Sequence, residues 1–327
     1  MIGGRKATSV RVVLADIGGT NARFALMEHG NISPVAHLRV ADFPVATDAV
    51  AAFLAHRAAS GPPAAAILGV AGLVENNRCI MTNSGWVIDG AELAKMFGFA
   101  TVRLLNDFEA LGWALPALQP ADLFPVGEQR PAVGEPMLVF GPGTGFGAAC
   151  FVPTGVQPVV VITEAGHATL PATSEREEKV ISELRRRFGH VSIERALSGS
   201  GLENLYGALA TIDGVAAPER DAAAITEAAL DGSCDISRTA LDMFCAFLGS
   251  VAGNLTLTFC ARGGVYIAGG IVPRFADRLA GTAFRQQFES KGRYVSYLQN
   301  IPTSIVVAPD NGFTGLKAFF ELNLQDR

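Results

Sequence analysis

Twice along the chain, an apolar run is followed by a short glycine-rich turn and a second apolar run. The first repeat reads Val10-Arg11-Val12-Val13-Leu14-Ala15, then Asp16-Ile17-Gly18-Gly19-Thr20, then Ala22-Arg23-Phe24-Ala25-Leu26-Met27. The second reads Met137-Leu138-Val139-Phe140, then Gly141-Pro142-Gly143-Thr144-Gly145, then Phe146-Gly147-Ala148-Ala149-Cys150-Phe151-Val152. Both spell strand, tight turn, strand, with a Gly-Thr pair (Gly19-Thr20, Gly143-Thr144) at the matching place. Glycine admits positive φ and lets a backbone N–H approach an anion, while threonine adds a hydroxyl donor. A single such hairpin is an ordinary turn. Two copies predict duplicated lobes that grip one polyphosphate from both sides.

The pattern between and beyond the hairpins alternates strands with helices. A third strand is predicted around Val35 to Val40, then a helix from about Asp48 to Ala59, closed by Ser60-Gly61-Pro62-Pro63. Ala65 to Gly72 is a continuous apolar run, the signature of a fully buried strand. Asp89-Gly90-Ala91-Glu92 forms a capping box that opens a short helix ending at Gly98. Val102 to Leu105 predicts a strand ending at Asn106-Asp107, followed by a helix through Glu109 to Leu115 that stops at Pro116. Gln119 to Pro136 has no clear period and collects glycines and prolines near its end. A domain crossing is therefore expected near residue 117, giving a small α/β domain of residues 1–117 plus 308–327 and a large one of residues 118–307. In the latter, Ser174-Glu175-Arg176-Glu177 starts a helix with Val180, Ile181, Leu184 and Phe188 on one face, ended by Gly189. From about Asp235 to Cys260 the chain is apolar on every side, which describes a buried central helix. Gly264 to Gly270 is a strand running into a glycine turn, and a strand from Ser304 to Ala308 and a helix from about Gly312 to Leu322 complete the α/β pattern.

Composition narrows the class. With 327 residues, 49% of them hydrophobic, the chain has room for two domains and a large core. Its mean hydropathy is high at +0.30, yet the longest apolar stretch, Ala64 to Val74, is broken by glycine and too short to span a bilayer. Arg5 and Lys6 precede an apolar run, but Asp16 ends it and no cleavage site follows, so no leader peptide is read. A net charge of −5 argues against nucleic acid as the main partner. Five cysteines (Cys79, Cys150, Cys234, Cys245, Cys260) with no CxxC pair read as buried free thiols in a reducing compartment. The expectation is a cytoplasmic protein with no membrane or nucleic-acid partner.

Five places carry candidate chemistry. Asp16, beside the Gly18 and Gly19 amides, suits a hydrated Mg²⁺ while the amides and the Thr20 hydroxyl take phosphate oxygens; alternatively it merely starts a turn. Asn106 and Asp107 fall at the carboxyl end of a strand, where ligands gather in open α/β sheets. Asp107 reads either as a helix N-cap or as a general base that takes a hydroxyl proton, with Asn106 on substrate hydroxyls. Glu164 and His167 flank Gly166 after the strand Val159 to Ile162 and can converge on one polar ligand; a zinc site would need a third ligand that the motif lacks. Further on, Ser192 could cap a short helix in which Glu194 and Arg195 form a surface pair. Gly269 and Gly270, bare of side chains, would let a flat base lie against the backbone, or simply make a tight strand-to-helix turn.

Taken together, these residues resemble the bacterial glucokinases of the proteobacterial type, within the hexokinase, actin and heat-shock ATPase superfamily. The resemblance runs from Val12 to about Phe320. It rests on Ala15-Asp16-Ile17-Gly18-Gly19-Thr20-Asn21-Ala22-Arg23, Leu105-Asn106-Asp107-Phe108, Gly141-Pro142-Gly143-Thr144-Gly145, Glu164-Ala165-Gly166-His167, Gly189 to Gly199 and Ile267 to Phe275. It implies a two-lobed actin-like (ribonuclease H-like) fold with a cleft between duplicated lobes, and phosphorylation of D-glucose at its 6-hydroxyl by ATP with Mg²⁺. It makes Asp107 the catalytic base and Asn106, Glu164, His167 and Glu194 sugar ligands. It assigns Asp16, Gly18, Gly19, Thr20 and Asn21 to the first phosphate motif, Gly143 and Thr144 to the second, and Gly269-Gly270 to the adenosine motif. It further implies a cytoplasmic homodimer acting at the first step of glycolysis. Pro142 and Ser200 depart from the pattern, which more often has a small residue and a proline there. The rival expectations are a kinase for fructose, mannose or an N-acetyl amino sugar, a sugar-sensing protein without turnover, and an actin-like filament protein.

Overall fold

The computed structural model describes residues 10–55, 61–81, 84–127, 131–155 and 157–325. The expected end of the first helix at Ala59 with its Ser60 stop, and the Arg5-Lys6 segment, lie outside them. The chain divides into two units, one of Met1–Ala117 with Pro309–Arg327 and one of Leu118–Ala308.

In the first unit, the strands Val12–Ile17 and Asn21–Glu28 form an antiparallel hairpin. The buried strand Ala65–Val70 pairs parallel with Val12–Ile17, and Thr101–Asn106 pairs parallel with Ala65–Val70. The outer side of the hairpin pairs with Ala36–Arg39 and Asn31–Ile32. Each residue of Ala65–Val70 is buried, because the sheet is covered on both faces, as its unbroken apolar run requires. On one face Phe24 stacks on Phe53 of the helix Ala46–Ala55, at 5.3 Å between ring centroids. On the other, the helices Asp107–Ala114 and Asn311–Asn323 pack together, with Trp113 edge-on to Phe319 at 5.8 Å. A Cβ on Gly315 would collide with the Ala110 carbonyl oxygen. These two helices therefore approach as closely as backbones can. The short helix Gly90–Phe97 opens on Asp89, which accepts from the Ala91 and Glu92 amides as an N-cap rather than in a reciprocal box, and ends as expected at Gly98, φ 72°.

The second unit repeats the plan. Met137–Pro142 and Phe146–Val152 form the hairpin, with Val159–Thr163 on its outer side. Val265–Ile267 and then Thr303–Val306 add in parallel on the inner side. Both sheets therefore read, from one edge, as outer antiparallel strand, returning hairpin strand, first hairpin strand, and two parallel strands reached by crossovers. This is the duplication that the two Gly-Thr turns announced. An additional short strand, Leu123–Pro125, extends the second sheet beyond Thr303–Val306. The helices Gly199–Asp213 and Ala222–Leu230 pack on the central helix Asp235–Phe259, and Glu175–Phe188 packs on Gly199–Asp213. At 25 residues that helix is long and apolar enough to cross a bilayer, but 72% of its most apolar window is packed inside the structure. Phe244, Phe247 and Leu248 of this helix are fully buried against Phe284 and Phe288 in the unit's core. Gly249 and Gly253 let the backbone at Phe284 and Phe288 press directly onto it.

The cysteines only partly match expectation. All five are free, and Cys79, Cys150 and Cys245 are buried. Burial pushes Cys150 up to about 11 and Cys245 up to about 12. Cys260, however, is exposed. It closes the central helix in the left-handed conformation, which turns it out of the core.

Candidate functional site

In the first unit, register alone brings the predicted residues to one edge of the sheet. Ile17 lies level with Val70, and Val70 with Asn106. The three parallel strands thus end in step, with the Gly18-Gly19-Thr20 turn after one and Asp107 after another. One strand separates them, so turn and carboxylate stand about 10 Å apart along the sheet edge. The turn is closed by the Gly18 amide donating to the Asn21 carbonyl at 2.9 Å. Gly18 does not use positive φ, so its value here is the bare backbone.

Asp16 is the penultimate residue of its strand rather than the opening of a turn. Its Oδ2 pairs with Arg23 Nη2, and Arg23 Nη1 reaches Asp310 Oδ1 at 2.9 Å. Burial pushes the Asp16 carboxyl above its ordinary value; Arg23 opposes that shift and Asp310 adds to it.

Asn106 caps the helix Asp107–Ala114, its Oδ1 accepting from the Phe108 and Glu109 amides at 2.9 and 3.3 Å. The alternative reading of Asp107 as the cap is therefore corrected. Asn106 is one residue closer to the strand and has the extended backbone (φ −63°, ψ 149°) that a cap needs. Its Nδ2 donates to the Gly72 carbonyl at 3.2 Å, tying the loop after Ala65–Val70 to the same edge. Asp107 occupies the first helical turn, with Oδ1 accepting from the Phe108 amide at 3.0 Å. Burial, with the negative charge of Asp107 nearby, raises the Cys79 thiol.

The second unit assembles the other residues around its hairpin turn. The Gly143 amide donates to the Gly145 carbonyl at 2.8 Å, and the Gly143 carbonyl accepts from the Gly199 amide at 2.9 Å. That bond seats the turn on the start of the helix Gly199–Asp213, which Ser198 caps through the Gly201 amide at 2.9 Å. A Cβ on Gly145 would strike Glu194 Oε2, which accepts from the Phe146 amide at 2.9 Å. Glu194 is thus a hairpin contact, and the expected surface pair with Arg195 is corrected. Ser192 makes no side-chain cap, and Arg195 lies over the Phe188 ring at 4.4 Å. Gly166 is bare because the Phe146 carbonyl presses on it, which brings Glu164 and His167 beside the same strand. Their side chains are exposed, with His167 Nε2 3.9 Å from Glu164 Oε2.

Gly269 and Gly270 have different reasons for being glycine. Gly269 has φ 86°, and a Cβ there would fall on the Pro142 carbonyl oxygen. Gly141 meets the Ala268 carbonyl in the same way. Gly270 and Gly143, by contrast, have nothing within 4 Å of an added Cβ, so a ligand can approach their backbone. Thr144 is exposed on the turn. Within this unit, Gly143, Thr144, Glu164, His167, Glu194, Gly269 and Gly270 all border one hairpin.

Sequence reading missed Arg23, Asp310 and the start of the Gly199–Asp213 helix. Arg23 was accessible through pairing, since it lies opposite Asp16 in the hairpin; Asp310 gave no local signal. Among the described residues no three His, Cys, Asp or Glu side chains cluster as a ready-made metal cage. The donor set still fits magnesium, which keeps most of its waters and takes phosphate oxygens, and so needs only one carboxylate such as Asp16.

A hairpin-led, partly parallel sheet built twice in one chain is the architecture of the actin-like, two-lobed sugar kinases. The solved glucokinase of an Antarctic psychrotroph superposes with a TM-score of 0.86 at 35% identity, covering 95% of this chain and 98% of that one. That of Balamuthia mandrillaris, in complex with glucose, shares the fold with a TM-score of 0.79 at 19% identity, covering 96% and 94%. In sequence, the chain is 42% identical over 311 residues to the glucokinase of Paramagnetospirillum magneticum, covering 94% of this chain and 97% of that protein. The family model for Glucokinase matches residues 13–323. The chain belongs to the glucokinase family.

Proposed function

We propose that Asp107 is the general base in the ATP-dependent phosphorylation of D-glucose, the reaction that membership of this family gives the chain. The observation that supports the proposal is the level ending of the Val12–Ile17, Ala65–Val70 and Thr101–Asn106 strands, which puts the Gly18-Gly19-Thr20 turn and the Asp107 carboxylate on one sheet edge. A neutral hydroxyl is a poor nucleophile and the γ-phosphoryl repels electron pairs, so the barrier falls through positioning and charge neutralisation. Asp107 takes the proton of the sugar 6-hydroxyl as the phosphoryl group arrives. Asn106, Glu164, His167 and Glu194 hold the other hydroxyls. Because Asn106 already spends Oδ1 on the helix cap, its contribution to the sugar is a donor from Nδ2. The phosphates lie between the turn of Gly18, Gly19, Thr20 and Asn21 and that of Gly143 and Thr144, on the donors that the turns' own closing bonds leave over, and the adenosine lies toward Gly269-Gly270. Asp16 would hold magnesium, which would supply positive charge against that of the nucleotide phosphates.

A coupled assay is expected to show ADP release that requires a hexose, with glucose giving the highest kcat/KM over fructose, mannose and N-acetylglucosamine. Equal turnover of all four, or ADP release without sugar, would contradict the substrate assignment. Gly143→Ala supplies a second check. It adds a methyl in open space at a residue without positive φ, so its melting temperature should stay within about 1 °C of wild type. If phosphate lies against that backbone, the added methyl takes up its space, and KM for ATP should nonetheless rise about tenfold, equivalent to about 1.4 kcal/mol of binding. An unchanged KM would remove the second turn from the nucleotide site.

Placement at the first step of glycolysis and in the cytoplasm belongs to the same proposal, and the five free cysteines support a reducing compartment. The homodimer rests on the family resemblance.

A further inference from the structure

Arg23 lies directly across the hairpin from Asp16, and its guanidinium serves two carboxylates. Nη2 pairs with Asp16 Oδ2, and Nη1 with Asp310 Oδ1 at 2.9 Å. Asp310 is 287 positions further along the chain. It stands at the head of the helix Asn311–Asn323 with φ 58°, a conformation that non-glycine residues avoid. The same helix presents Gly312 to Asp16, where an added Cβ would lie 3.2 Å from Oδ2. Arg23 and the Gly312 backbone thus both lie on the Oδ2 side of the Asp16 carboxylate.

The charges explain why two carboxylates share one cation. An isolated Arg23–Asp16 pair would be neutral, and a divalent cation approaching Asp16 would have to compete with the guanidinium. With Asp310 included, one positive charge faces two negative ones and the cluster keeps a net charge of −1. The planar fork of arginine also gives each carboxylate its own direction, which lysine cannot do. The side chains of Arg23, Asp16 and Asp310 are 35%, 17% and 31% exposed, so solvent moderates these interactions without removing them.

We propose that Arg23 and Asp310 are positioning residues for Asp16: Arg23 orients the carboxylate, and Asp310 draws off enough of the guanidinium's charge for Asp16 to attract the metal–nucleotide complex. The proposal rests on the reading of Asp16 as the carboxylate that holds magnesium through water. The C-terminal helix thereby serves both chemical groups of its unit: Asp310 at its head is joined to Asp16 by way of Arg23, Gly312 lies beside Asp16, and Gly315 packs on the Asp107 helix.

The test uses Mn²⁺ as a spectroscopic probe, titrated into the full chain saturated with ADP and followed by electron paramagnetic resonance. Wild type is compared with Asp310→Asn, Arg23→Gln, the double variant and Asp16→Asn, and melting temperature and glucose affinity are recorded for each. Asp310→Asn is expected to weaken Mn²⁺ binding about threefold or more, the upper range for a partly exposed charge pair, with glucose affinity unchanged. Removing Arg23 as well should restore much of the loss, because the competing cation is gone. A merely structural strut predicts no such recovery. Mn²⁺ binding by Asp310→Asn indistinguishable from wild type, or no tighter in the double variant than in Asp310→Asn, would overturn the proposal. Should the Arg23 variants fail to fold, Asp310→Asn alone decides, since it alters one partly exposed carboxylate. Asp16→Asn separates the two levels. If it weakens Mn²⁺ binding while Asp310→Asn does not, only the positioning role falls; if it too has no effect, the metal reading of Asp16 falls and takes the inference with it.

Discussion

Replacing Asp107 by asparagine is expected to lower kcat by about 10²–10⁴-fold, the range for removal of a general base, with little change in glucose affinity. The local structure makes this a clean substitution. Asn106, not Asp107, caps the helix, so the cap survives. Asp107 Oδ1 accepts from the Phe108 amide at 3.0 Å, a role that the amide oxygen of asparagine can take over. Shape and that hydrogen bond are kept, while the ability to accept a proton goes. The measurement is turnover in a coupled assay beside glucose binding followed by intrinsic fluorescence. Turnover within a few fold of wild type would remove Asp107 from the proton-transfer step. Asn106→Ala is the contrasting case, because it should cost about 1 kcal/mol of stability through the lost cap.

Gly269→Ala is expected to damage the second unit before any chemistry is considered. The residue has φ 86°, and its Cβ would fall on the carbonyl oxygen of Pro142. That oxygen belongs to backbone at the end of a strand and cannot swing aside as a side chain would. The left-handed backbone costs about 1–2 kcal/mol for an L residue, and overpacking a close contact about 1–3 kcal/mol more. Together they should lower the melting temperature by roughly 5–15 °C for a chain of this size. Because Pro142 precedes Gly143, relief of the collision also shifts the second turn, so ATP affinity should fall alongside stability. Gly270→Ala is the control. Its added methyl meets nothing within 4 Å and its φ is not positive, so it should melt like wild type. Equal stability of the two variants would mean that the contact with Pro142 is not what demands glycine at position 269.

Local signals account for what could be read from the sequence. The hairpins were visible because apolar runs and Gly-Thr turns adjoin, and the helix Gly90–Phe97 because Asp89 and Gly98 mark its two ends. The long central helix was visible because a run that is apolar all round for so many residues describes a helix with no solvent face. The helix Gly199–Asp213 was not, because it opens with Gly199-Ser200-Gly201, among the poorer helix formers. Tertiary contact explains that choice: Gly201 packs against the Ala196 backbone, and Gly199 approaches the turn at Gly143. Ala222–Leu230 escaped because a run so rich in alanine offers little contrast between faces. At the site, Asp16 and Asp107 were legible as carboxylates at strand ends. The contact of Glu194 was not, since its partner amide belongs to Phe146, 48 positions earlier. Spacing favoured the neighbouring Arg195, which turns instead to the Phe188 ring. Asp310 belongs to the same class of miss, a residue whose partner is assigned by the fold rather than by adjacency.

The most direct measurement is a crystal structure of this chain with glucose and a non-hydrolysable ATP analogue bound together. A carboxylate oxygen of Asp107 should lie about 2.6–3.2 Å from the sugar O6, with amides of both Gly-Thr turns on the phosphates of the same nucleotide. Glucose bound with O6 turned toward another side chain, or a triphosphate held by one turn alone, would contradict the account.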